Sequence, residues 1–167
     1  MITRSVNSET DITTQVSVTV TRPANATPFG ALDVVGQAST GILTFATEYP
    51  KGSTIEIKDS WLRVDLNAVT ASMTTFTLHL FNAAPTDILD NAPFNLISAD
   101  RGKYLGSLGL GTPVDIGDTL FVQVAGINKR ITLDSTTSSF YGVLTTTGAY
   151  TPASGEVLTV TVGMELV

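Results

Sequence analysis

The chain has 167 residues, a formal net charge of −6, one histidine and no cysteine, and only 14% of its residues are charged. That length fits one domain, and the acidic balance speaks against a protein that must neutralise phosphates along a nucleic acid. Threonine supplies 27 positions, and its β-branched side chain suits a half-buried sheet face, so the composition points to β-structure that presents a surface.

Residues 1–13 (MITRSVNSETDIT) show no clear alternation and are expected to form an extended N-terminal arm, ordered only by what it touches. Residues 14–167 are expected to form a single domain. The first strand runs over Gln15–Thr21, where Val16, Val18 and Val20 alternate with Ser17, Thr19 and Thr21. Arg22-Pro23 stops it, because proline cannot donate to a ladder. A turn-rich passage, Ala24–Leu32, leads into Asp33-Val34-Val35-Gly36. Strands are then predicted over Ile42–Tyr49, Thr54–Lys58, Trp61–Asn67 and Thr75–Asn82. In Trp61–Asn67, Leu62, Val64 and Leu66 share one face; in Thr75–Asn82, Phe76, Leu78 and Leu80 do so.

The stretch Ala83–Lys103 breaks this rhythm with two prolines, a Leu-Asp-Asn turn and Ser98-Ala99-Asp100-Arg101, which suits a short helical turn. Leu89, Phe94, Leu96 and Ile97 suggest that it packs down onto the domain. Strands resume over Tyr104–Leu110, Thr119–Ala125, Arg130–Leu133, Phe140–Thr145 and Val157–Glu165. The turn signals between them include Gly111-Thr112-Pro113, Asp115–Asp118, Gly126-Ile127-Asn128 and Thr151-Pro152. About ten short strands without a normal amphipathic helix predict an all-β, antiparallel β-sandwich that is jelly-roll-like.

Few residues carry chemistry. His79 faces the same side as Thr75, Thr77 and Phe81, has no second imidazole and no nucleophile elbow, and is expected to be a partly buried or interface residue. Asp87, Asp90, Asp100, Asp115 and Asp118 cluster near turns without calcium-loop spacing, so turn chemistry is expected of them. Gly106-x-x-Gly109-x-Gly111 has the glycines of a phosphate loop but no helix to open, and reads as strand plus turn. Trp61, Tyr49, Tyr104, Tyr141 and Tyr150 suit a core or an interface better than a sugar site. Lys129-Arg130 and Arg101/Lys103, the only close basic groupings, read as solvated turns and strand ends. No catalytic, cofactor or metal residue is assigned, and no cofactor is expected.

No apolar run approaches the roughly 20 residues of a membrane span, and Met1 to Ser17 lacks the apolar core of a signal peptide. Asn25-Ala26-Thr27 matches a glycosylation sequon and reads as loop polarity. The absence of cysteine fits a reducing cytosol or a virion assembled in one.

Four segments together resemble a family of small virion-associated proteins of tailed bacteriophages. They are VTVTRPANATPFGALDVVG (18–36), SWLRVDLNAVTASMTTFTLHLFNAAP (60–85), DNAPFNLISADRGKYLGSLGLGTPVDIGDTLFVQVAGINKRITL (90–133) and GVLTTTGAYTPASGEVLTVTV (142–162). The resemblance implies a capsid decoration, or cement, protein with no enzymatic activity. It would sit on the outer head surface where capsomers meet, after synthesis in the host cytoplasm. The partners implied are the major capsid protein and the chain itself as a homotrimer, with neither nucleic acid nor membrane. Two rival readings stand beside it. One is a tail-fibre or baseplate module gripping a host glycan through Ala83–Lys103 and Tyr150. The other, weaker, is a polysaccharide-degrading virion enzyme.

Overall fold

The structure, a computed structural model, describes residues 14–167. The expected arm, residues 1–13, lies outside the described residues. Nine strands follow in chain order: β1 (Thr14–Thr21), β2 (Ile42–Ala46), β3 (Thr54–Val64), β4 (Phe76–Phe81), β5 (Tyr104–Gly111), β6 (Val114–Asp115), β7 (Leu120–Thr132), β8 (Ser139–Thr146) and β9 (Val157–Leu166). They form two antiparallel sheets, one ordered β1-β9-β3-β7-β6 and the other β2-β8-β4-β5.

The pairing is nested. β4 pairs with β5, β3 with β7, β2 with β8 and β1 with β9. One long hairpin has therefore been wound into two layers, which is a jelly roll, and the all-β sandwich expected from the sequence is the observed fold. Alternation drives it. The longer strands turn apolar rows inward: Val20 from β1, Leu158, Val160 and Val162 from β9, Leu62 and Val64 from β3 meet Leu43, Phe45, Leu78 and Phe140 of the other sheet. Phe45 and Phe140 stack with ring centroids 4.7 Å apart and planes 5° from parallel. Gly142 is required beside them, because a Cβ there would lie 2.7 Å from Leu78 Cδ1 and 3.0 Å from Phe45 Cε2.

Several expected boundaries are corrected. Thr54–Lys58 and Trp61–Asn67 are one strand, β3, with an irregularity between Ile57 and Asp59. Likewise Thr119–Ala125 and Arg130–Leu133 are one strand, β7. Gly126-Ile127-Asn128 does not end it; with φ of +69° at Gly126 and +50° at Asn128, it bulges out of the ladder. The turn chemistry was read correctly, but a bulge uses the same residues as a turn. Asp115, read as the start of a turn, instead makes the small edge strand β6 with Val114. Asp33-Val34-Val35-Gly36 contributes two isolated bridges, Asp33 to Pro93 and Val34 to Thr145.

The segment 82–103 folds onto the outer side of the second sheet. Its 3₁₀ turn, Ser98–Asp100, falls where a helical turn was expected, though no side chain caps it. Phe94, Ile88 and Leu96 pack with Phe81, Val143, Tyr104 and Tyr141 in a second, smaller apolar cluster. The turn at Leu89 to Asn91 needs a left-handed residue, and Asn91 supplies it at φ +62°.

Candidate docking face

The two sheets differ in what covers their outer sides. Segment 82–103 covers the middle of that of β2-β8-β4-β5, over Phe81 and Val143, and leaves Thr44 and Ala46 of β2 and Ser107 and Gly109 of β5 exposed. The outer side of β1-β9-β3-β7 carries an exposed row: Gln15, Ser17, Thr19 and Thr21 of β1, Arg63 of β3, and Gln123 and Ala125 of β7. Register fixes its rows. Ser17, Thr161, Trp61 and Gln123 lie side by side across four strands, and Thr19, Thr159, Arg63 and Phe121 form the next rung.

Hydroxyls knit this surface together. Ser17 Oγ and Thr161 Oγ1 lie 2.7 Å apart, Thr19 and Thr159 hydroxyls 3.1 Å, and those of Thr54 and Thr132 3.1 Å. Cross-strand pairs of this kind set a rigid, evenly spaced face. β1 carries no charge, nor does β9 from Val157 to Met164. Trp61 stands partly exposed in the middle. At one corner Val114 (58% exposed) opposes Phe121, with Ile116 (62% exposed) nearby.

Apart from Arg63, charge on this face is gathered at the far end and mostly paired there, although the buried Asp59 Oδ1 finds no hydrogen-bond partner. At the β3 irregularity Lys58 Nζ lies 2.5 Å from Glu56 Oε1 and 2.7 Å from Glu165 Oε1, while Arg130 Nε donates to Glu56 Oε2 at 2.8 Å. Hydrogen bonds from Lys58 and then Arg130 hold the Glu56 carboxyl below its ordinary range, and those to Glu165 and Glu56 raise Lys58. Arg130, expected to be solvated, is largely so but ion-paired; Lys103 donates to Ala84 O and to Asp100, both at 2.9 Å.

Of the aspartates expected to do turn work, Asp115 does so, while Asp87, Asp90 and Asp100 mainly tie together segments far apart in the chain. Asp87 accepts from Gly41 N–H (2.9 Å) and the Thr40 hydroxyl (3.0 Å), Asp115 from Gly117 N–H (2.8 Å) and Asp100 from Thr86 N–H (2.9 Å). Asp90 does more. It accepts Arg22 Nε at 3.1 Å, Arg22 Nη2 at 2.7 Å and Gly36 N–H at 3.0 Å, with side-chain exposures of 0% for Arg22 and 5% for Asp90. The guanidinium carbon lies 4.4 Å from the Phe29 ring centroid, and Nη1 finds no acceptor. This pair clips the covering segment to the end of β1. No local pattern could have announced it, because 68 positions separate its members.

Beside it, Tyr150 donates to Glu156 Oε1 at 2.8 Å. Burial, then the Glu156 charge, pushes the Tyr150 phenol up, and burial raises the Glu156 carboxyl as well. Tyr150 is 1% exposed and lies in the core, as the preferred reading expected, which removes it from the rival glycan-binding reading. Tyr49 donates to Met164 O at 3.2 Å. His79 is partly buried, as expected. It stacks on Phe94 at 3.9 Å between centroids, with Nδ1 3.2 Å from the Tyr104 hydroxyl and Nε2 3.3 Å from that of Thr145. Burial lowers its pKa to about 4. Gly106, Gly109 and Gly111 lie in β5, again as expected. Among the described residues no group of three acidic, histidine or cysteine side chains is placed to hold a metal ion, and no helix is long and apolar enough to cross a membrane.

No protein-family model matches the chain, and no curated protein does. Solved structures with similar chains include tomato aspermy virus, at 16% identity over 93% of this chain and 78% of the other with a TM-score of 0.30. The empty head of turnip yellow mosaic virus gives 12% identity, 99% and 86% coverage and a TM-score of 0.28. The Kashmir bee virus virion at neutral pH gives 13%, 99% and 78%, also at 0.28. TM-scores this low carry no weight, and the jelly roll rests on strand order instead. The resemblance to tailed-phage decoration proteins has no counterpart in these three.

Proposed function

We propose that this chain is a capsid decoration protein of a tailed phage, added to the outer head surface at capsomer junctions to stabilise the shell. The observation that carries the reading is the unequal treatment of the two sheets. Segment 82–103 covers the middle of one outer side, while the other keeps exposed rows of Gln, Ser and Thr, stiffened by paired hydroxyls and free of charge along β1 and along β9 as far as Met164, with Asp59 and Arg63 flanking Trp61 on β3. A face with few charges has little to desolvate when it docks, and a central aromatic is a good anchor. The sequence resemblance supports the same assignment, with the major capsid protein as partner, a homotrimer as the unit, and a structural rather than enzymatic role.

Bridging explains how such a protein would work. A standard contact buries about 800 Å² on each partner. Contacts to several shell subunits act together through effective concentration, so opening a seam means breaking several at once. Residues 1–13 extend this reading as an arm reaching a neighbouring subunit. The glycan alternative loses one of its named carriers, since Tyr150 is inside the core.

The test is the copy number per purified virion, measured by quantitative mass spectrometry against the major capsid protein. A stoichiometry comparable to the shell subunit is the expected result. A handful of copies, as for a tail vertex, would overturn the head assignment and favour a fibre or baseplate module.

A further inference from the structure

The open edge of β1 is unlike the other edges of this sandwich. Exposed strand edges offer unpaired N–H and C=O groups, and proteins blunt them with short strands, bulges, charges or left-handed residues. Here β6 has two residues, and beyond it β7 is interrupted by Gly126 and Asn128 at positive φ and followed by Lys129 and Arg130. β5 has Gly106 at φ +96°, Gly111 at +77° and two register shifts. β2 has five residues. β1 has eight, with no charge, proline, glycine or bulge.

Its hydrogen-bonding parity can be read. Arg22 N–H donates to Glu156 O at 3.0 Å, continuing the ladder to β9. In a regular antiparallel pair the alternate residues Thr14, Val16, Val18 and Val20 then also turn their backbone groups to β9. Gln15, Ser17, Thr19 and Thr21 turn theirs to the open edge, where no described residue supplies a partner. Val16 and Val18 are only partly buried at this open side of the core.

We infer that β1 is a seam for a second copy of this chain, docked antiparallel, strand to strand, across a two-fold axis at Val18. In that register Ser17 faces Thr19 of the second copy and Gln15 faces its Thr21, each pair exchanging two backbone hydrogen bonds. Val16 faces Val20, and Val18 faces itself. Valine meets only valine on the inner side and polar uncharged groups meet on the outer side, so the strand complements itself. Two five-stranded sheets become one of ten strands. Because each copy carries −6, a seam between copies has to be free of like charges, and this one is. The junction uses a single edge and leaves the rest of each molecule available to a three-fold contact. It does not depend on the decoration reading.

Sedimentation velocity on the full chain over a dilution series tests it. The wild type is expected to interconvert between a unit and twice its mass. Thr19→Pro removes a donor that faces outward, which an edge strand tolerates. It should keep the thermal midpoint of the wild type while weakening the doubling about a hundredfold or more. Val18→Cys gives an independent readout that does not need the proline variant to fold. Across the axis a non-hydrogen-bonded pair brings the two Cα atoms to about 4.5 Å, within disulfide reach, and the chain has no other cysteine. Mild oxidation should link copies in pairs. Three outcomes overturn the seam: a Thr19→Pro variant that doubles like the wild type, no interchain disulfide in Val18→Cys, or amides of Ser17 and Thr19 protected equally at every concentration. The last would mean that the chain's own residues 1–13 hold the edge.

Discussion

Removing the Asp90 carboxylate should be among the most damaging single changes in this protein, although Asp90 sits in a long loop. Asp90→Ala deletes the acceptor of Arg22 Nε, Arg22 Nη2 and Gly36 N–H together, at a site where Arg22 is fully buried. Orphaning a buried charge costs about 3–5 kcal/mol, and the stranded Gly36 donor overlaps with that cost rather than adding fully to it. At about 2–4 °C per kcal/mol for a chain of this size, a loss of ~4 kcal/mol lowers the thermal midpoint by about 8–16 °C. Urea unfolding followed by tryptophan fluorescence would measure it, with Trp61 as the sole reporter. A lost packing contact could cost as much, so a second variant separates the two causes. Replacing the pair by apolar residues, Arg22→Met with Asp90→Leu, removes the stranded charge and should regain about 2 kcal/mol or more over Asp90→Ala. If Asp90→Ala costs under about 1 kcal/mol, or the double variant is less stable than the single, the orphaned-charge argument is refuted.

Other consequences are checked more simply. Below pH 6.5 the protein should lose stability as the pH falls toward 4. The folded state holds His79 neutral down to about 4 by burial, while the unfolded chain takes up the proton near 6.5. The full 2.5-unit difference corresponds to about 3.4 kcal/mol; solvent reaching this partly exposed ring reduces it to about 1–2 kcal/mol. Subtracting the pH profile of His79→Asn isolates the contribution, and identical profiles would refute it. Gly142→Ala should cost about 1–3 kcal/mol by urea midpoint, since the new methyl group meets Leu78 and Phe45. Trp61→Ala should leave the thermal midpoint within about 3 °C yet reduce retention on heads, and deletion of residues 2–13 should also weaken retention without unfolding the domain. Retention should survive about 1 M salt, where the screening length is only about 3 Å, because the β1–β9 half of the face has no charges to screen.

The sequence made the layers legible and the long-range chemistry illegible, for physical reasons. Val16, Val18 and Val20 announce β1 because a period of two leaves them no other common face. The same logic located β4, β8 and β9 to within a few residues. It failed at Lys58 and at Gly126–Asn128, where a bulge and a turn demand the same backbone freedom and only the partner strand decides between them. It placed Tyr150 among core or interface aromatics, and Tyr150 is core, but it gave no sign that Glu156 accepts the phenol hydrogen bond there. Nothing local distinguishes the bare sheet from the covered one, since both alternate apolar residues with Thr and Ser. That distinction depends on where segment 82–103 lands, and on an ion pair that closes 68 residues of chain.

The same ion pair links stability to the docking face. A jelly roll has two outer sides, and leaving both bare would invite association on either. Here one side is closed by a segment whose anchors are costly to break: the Arg22–Asp90 pair at one end, His79 stacked on Phe94 in the middle, and Asp100 holding Thr86 and Lys103 at the other. Closure by buried polar groups specifies geometry more strictly than an apolar lid would, because each group accepts only one arrangement of partners. The other side keeps its exposed rows of Gln, Ser and Thr, stiffened by hydroxyl pairs rather than by bulk. Under the proposed decoration role, the fold would thereby choose an orientation on the shell before any partner is met.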